Sequence, residues 1–147
     1  MIELIKRVIR LFEKIPLDVV AIAARFAVGL VFFKSGLTKI DGFSIKPSTF
    51  FLFENEYSVP FMPPVMAAYV GTFSELVLPV LLWIGLGTRI SATMLLGMTA
   101  VIQIFNYPNA YSIHALWAVS LLYLMAKGPG TFSIDHFLRK KYMANDK

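Results

Sequence analysis

Arg25, Glu75 and Lys39 are charged residues set within, or at the edge of, long apolar runs. Charge in such a setting is costly and is by default a functional-site hypothesis. A guanidinium facing a carboxylate can hold a polarised or anionic ligand, or pass a proton. Depth arithmetic pairs two of them. Arg25 lies twelve residues before Leu37, the end of the first run, or about 18 Å along a helix. Glu75 lies ten residues after Val65, the start of the second, or about 15 Å. With the two ends level, an intramembrane Arg25–Glu75 ion pair is expected. Small residues flank both: Arg25, Gly29, Phe32 and Gly36 share one stripe, and Ala68, Gly71, Glu75 and Pro79 another. Such stripes let helix backbones approach closely in lipid. Pro79 has no N–H, which frees the Glu75 carbonyl as a further acceptor.

A second polar group sits nearer the outer surface. Thr99, Gln103 and Asn106 share a face of the third run, and His114 opens the fourth. Lys39 returns to the Arg25 face of its helix, with about 40° of offset over fourteen residues. Lys34 points nearly opposite, where it can snorkel. Lys39, Gln103, Asn106 and His114 thus outline an outer polar funnel that ends at Arg25–Glu75. The plainer reading is that the pair and the amides only fix helix register, and that His114 is a helix-start polar residue.

Other chemistries lack their residues. There is no cysteine, hence no disulfide, thiolate or Fe–S cluster. The two histidines, His114 and His136, lie at opposite ends of the fold as read here, so no bis-histidine haem and no metal site is expected. No phosphate-cradling loop is present.

The elements that must position these residues follow from composition. Of 147 residues 57% are hydrophobic and 16% charged, and mean hydropathy is +0.68. A soluble domain holds about 45–50% apolar and about 25% charged residues. The fold class expected is all-α: a polytopic membrane protein with a four-transmembrane-helix bundle in a single domain, 1–147. Spans are read at 17–37, 65–86, 90–107 and 112–126, the last being short for a span. Residues 1–16 form an interfacial amphipathic helix, 38–64 an outer loop and 127–147 a cytoplasmic tail. Ten of the fourteen Lys and Arg residues flank the spans on the side of the termini and two lie opposite. Both termini are therefore expected in the cytoplasm. The net charge of +5 suits anionic lipid, and no nucleic-acid partner is expected.

Ile2, Ile5, Ile9 and Phe12 recur at helical spacing between basic residues. That marks a helix lying on the membrane rather than a cleavable signal; a helix for a calmodulin-like partner would look similar. In the outer loop, Ser48 can cap a short aromatic helix over Thr49–Tyr57 on the outer face. The alternative is an irregular loop with its aromatics at headgroup depth.

Taken together, Arg25-x3-Gly29-x2-Phe32-x3-Gly36-x2-Lys39, Glu75 with the Gly85–Arg89 turn, and Gly128-Pro129-Gly130 before Phe132-Ser133-Ile134-Asp135 resemble the DoxX family of small four-helix bacterial inner-membrane proteins. The resemblance spans about residues 20–138. It implies Arg25, Lys39 and Glu75 as the family-like polar positions. It also implies a link to quinone-coupled redox systems in some relatives and membrane anchoring in others. The start of the fourth helix, His114-Ala115-Leu116-Trp117, is less acidic than in many relatives. Three functions are weighed. The first is a subunit or accessory of a redox-associated membrane system. It would receive a quinone or small oxyanion from the outer side, with Arg25 and Lys39 as charge partners and Glu75 as proton acceptor. The chain has no electron carrier, so a bound quinone or a redox partner protein must supply one. The second is a non-catalytic anchor or assembly factor. The third is a small-solute or proton pathway, ranked last because no inverted repeat is visible.

Overall fold

The computed structural model describes residues 1–143. Among the described residues the regular structure is helical apart from a small hairpin. Its elements are α1 (Ile2–Phe12), α2 (Leu17–Thr38), β1 (Ile40–Asp41), β2 (Ser44–Ile45), α3 (Pro47–Asn55), α4 (Pro64–Ile84), α5 (Thr88–Val101), a π-helical turn (Ile102–Asn106), α6 (Tyr111–Lys127) and α7 (Ile134–Met143). The end of the bundle bearing the α2–α4 connection is termed outer, and the opposite end inner.

Four helices form the body. α2 packs chiefly on α4, α5 on α6, and α6 closes back on α2. Their shared core holds Val28, Phe32, Leu78, Leu82, Leu95, Leu121 and Leu124. Among the described residues, two helices are long and apolar enough to cross a membrane: α4, with mean hydropathy 1.8, and α5 continued through the π-helical turn, with 1.3. α1 and α2 pass as a third if taken as one span bent by 58°. α1 buries none of its residues, consistent with an apolar stripe that has no protein partner. α6 has 17 residues, at the lower limit of a span.

Several boundaries move. Ser48 does not cap the outer helix. Pro47 opens it, with its fixed φ suited to the first turn, and the helix ends at Asn55 rather than Tyr57. A two-residue hairpin pairs Ile40 with Ile45 ahead of it. The tail carries α7, whose first turn docks under the bundle: Asp135 accepts from the backbone N–H groups of Gly87 (2.7 Å) and Thr88 (2.9 Å). Gly85 and Gly87 are both left-handed (φ 69° and 58°), which makes the α4–α5 turn tight enough to present those two donors.

The register of α2 against α4 decides where the polar residues meet. A Cβ on Gly36 would meet the side chains of Glu75 and Leu76, and one on Gly29 would strike Trp83. At the inner end, Arg25 abuts Gly85. The outer end of α2 is thus level with the middle of α4. The first two turns of α4 project beyond it, and α3 covers them, with Phe53 packed on Ala67 and Ala68.

Candidate functional site

A cavity of about 280 Å³ opens at the outer half of the bundle, between α2, α3, α4, the π-helical turn and α6. Most of its wall is apolar, including Phe32, Phe53, Met98 and Trp117. Ser35, Lys39, Glu75, Asn106 and His114, with the Tyr57 and Tyr107 hydroxyls, supply the polar lining.

Lys39 and Glu75 are the centre of that lining. Lys39 Nζ donates to Glu75 Oε2 at 2.6 Å and to Ser35 Oγ at 2.9 Å. Ser35 Oγ in turn donates to Glu75 Oε1 at 3.2 Å. Both charged residues are buried, at 7% and 6% exposure. Each feature of the local sequence serves this contact. Lys39 sits just past the last turn of α2, four residues after Ser35, so both side chains lie on one face. Gly36 removes the Cβ that would otherwise press on Glu75. Thr49 Oγ1 and the Lys46 backbone N–H both donate to the Lys39 carbonyl, at 2.9 and 3.0 Å. They tie the hairpin and α3 to the helix end and satisfy an orphaned acceptor.

The expected Arg25–Glu75 pair is not formed. Arg25 lies near the inner end, where Nη2 donates to the Phe132 carbonyl at 2.9 Å, while Nε and Nη1 have no hydrogen-bond partner. The pair would require the outer ends of the two helices to stand level, whereas the outer end of α2 stands beside the middle of α4. Given the observed register, the residue opposite Arg25 is Gly85, ten residues from Glu75 and about 15 Å along the helix. The funnel therefore ends at Lys39–Glu75 and not at Arg25.

The remaining predicted residues divide. Asn106 and His114 line the cavity, whereas Gln103 stands behind them. Gln103 Nε2 donates to the Pro108 carbonyl at 2.7 Å, so its Oε1 is the acceptor facing His114 Nδ1 at 2.6 Å. In the neutral imidazole this contact places the proton on Nδ1 and leaves Nε2 as the acceptor. His114 also packs on Trp117, with ring centroids 4.8 Å apart. Lys34 is exposed, as expected of a snorkelling lysine. The π-helical turn displaces Asn106 from its straight-helix position, a device common at functional sites. Its Oδ1 accepts from the Ser58 backbone N–H at 2.8 Å.

Three participants were missed. Ser35 was legible as the residue four positions before Lys39. Tyr57 and Tyr107, whose hydroxyls lie 3.3 Å apart across the cavity mouth, carry no spacing signal, because they come from segments fifty residues apart. Burial, together with the Tyr107 hydroxyl, pushes the Tyr57 phenol well above its ordinary range; in their contact Tyr107 donates and Tyr57 accepts.

A helical membrane bundle with a polar-lined outer cavity is the class of protein these observations define. The DoxX family model matches residues 20–108, more than half of the chain, and the chain belongs to the DoxX family. An uncharacterized protein of Haemophilus influenzae is 31% identical over 131 residues, covering 80% of this chain and 82% of that one. No solved structure matches.

Proposed function

We propose that the protein is a four-span inner-membrane protein with both termini in the cytoplasm. In this reading its outer cavity receives the polar head of a lipophilic molecule, a quinone, in the service of a redox-associated membrane system. The observation that carries the reading is a buried Lys39–Glu75 pair set in the wall of an otherwise apolar cavity. Ligand sites are mostly apolar with a few placed polar groups, and this volume suits one ring-sized head. Lys39 is the donor for a carbonyl oxygen, Glu75 the proton acceptor beside it, and Trp117 an aromatic wall. A quinone, when bound, supplies the electron-accepting chemistry that the side chains lack; the electrons come from a redox partner protein. Arg25, outside the cavity, has no part in binding.

Trp117 lines the cavity and Trp83 does not, which provides the readout. Titration of the purified protein with a short-chain quinone quenches Trp117 fluorescence saturably, and Trp117→Phe abolishes the signal. Glu75→Gln, nearly isosteric, weakens binding about tenfold, equivalent to losing a charge-assisted hydrogen bond of about 1.5 kcal/mol. Quenching that never saturates sinks the proposal. In that case the anchor reading stands, and association with a partner protein should survive in the same variants.

A further inference from the structure

The inner end of the bundle holds a second and larger concavity of about 640 Å³, remote from the Lys39–Glu75 site. Arg89 at the start of α5, Lys127 at the end of α6, and Arg139 with His136 on α7 converge on it from three elements. Two acids, Asp18 and Asp135, also line it, so the cleft sets three cations against two carboxylates, which are held in place by neutral donors. Asp18 accepts from Thr131 through both oxygens, at 2.9 Å from the backbone N–H and 2.6 Å from the hydroxyl. Asp135 is taken up by the Gly87 and Thr88 amides. Among the described residues, Arg89, Lys127 and Arg139 form no ion pair. Arg89 makes only a long contact, Nη2 to the Ala126 carbonyl at 3.4 Å. With none of the three cations ion-paired and one more cation than carboxylate in the lining, the cleft keeps a net positive charge and free donors for an anion.

The surroundings select the kind of anion. Ile90, an exposed apolar side chain, lines the cleft next to Arg89, Phe132 and Phe137 are exposed on the adjoining tail segment, and the cleft lies where α2 begins and α4 and α6 end. A soluble phosphate would have no use for that apolar rim. A phospholipid would lay its acyl chains along the rim and its phosphodiester among the cations. We infer that this inner cleft is a binding site for the phosphate group of an anionic phospholipid, held by Arg89, Lys127 and Arg139.

The test uses the full-length protein in mild detergent, titrated with phosphatidylglycerol or phosphatidylcholine and read by native mass spectrometry. Phosphatidylglycerol should be retained at least about fivefold better than phosphatidylcholine. Each of Arg89→Gln and Arg139→Gln should reduce that retention about fivefold, the worth of one basic residue at a charged membrane surface. Lys140→Gln removes the same charge from α7 outside the cleft and should leave retention unchanged. Lys127→Gln, at an exposed helix end, provides a variant whose folding is not at risk and should show the same fivefold loss. Equal retention of the two lipids overturns the inference, as does an equal loss in Lys140→Gln. Displacement of the lipid by millimolar inorganic phosphate overturns it too, by showing a site for a soluble anion.

Discussion

Lys39 and Glu75 show how a buried charge pair can be held without being a net source of stability. Two charges withdrawn from water recover their desolvation cost only through close geometry and added hydrogen bonds. Here the bond is 2.6 Å and Ser35 serves both partners. Lys39→Ala leaves a buried, uncompensated carboxylate and should destabilise the protein by about 3–5 kcal/mol, measured by thermal unfolding in detergent. Replacing both residues with apolar ones, Lys39→Met with Glu75→Leu, should recover most of that loss while abolishing quinone-dependent quenching. Recovery of stability without recovery of binding separates the pair's chemistry from its part in folding. The sequence displayed both residues as anomalies, since apolar runs make any charge conspicuous. It did not display the partnership. Arg25 competes with Lys39 for Glu75 on charge alone, and only the offset between two helices excludes it.

At the scale of elements, that offset is set by close approach. Gly36 faces Glu75 and Leu76, and Gly29 faces Trp83; a methyl group at either has nowhere to go. Gly36→Ala should cost about 1–3 kcal/mol through overpacking, and it should also lower quinone affinity because it pushes on Glu75. A substitution on the exposed face of α5, Gly97→Ala, where a Cβ meets nothing within 4 Å, should be neutral or slightly stabilising, given the better helix propensity of alanine. Circular dichroism melts of the two variants check both signs. The inner end has its own fastener in Asp135, which receives two amides at the start of α5. Asp135→Ala removes this cap and should cost about 0.5–2 kcal/mol. The stripe of small residues made the packing of α2 on α4 legible in advance. The cap was not, because Asp135 and Gly87 are joined only after α7 folds back beneath the bundle.

For the whole molecule, the proposed arrangement puts the α2–α4 connection outside and both termini within. The absence of cysteine makes this directly testable. Phe43 in the hairpin turn and Phe137 on α7 are both exposed. In intact cells, a membrane-impermeant maleimide should label a Phe43→Cys variant and leave Phe137→Cys unlabelled until the cells are lysed. The reverse pattern inverts the topology. Labelling of both in intact cells would mean an even number of crossings between them, so that one of α4, α5 and α6 does not span.

Composition and hydropathy by themselves determined that this chain is a helical membrane protein. They also determined roughly where its long helices run and which few polar residues are out of place, because apolar runs of span length, breakers and misplaced charges are local properties of a chain. Which of those polar residues meet was decided only in the tertiary structure. A helix states its own length and its own faces, but not the level at which a neighbour stands beside it. The long outer connection folds into a hairpin and α3, lets α4 rise past the end of α2, and brings Glu75 to Lys39 rather than to Arg25.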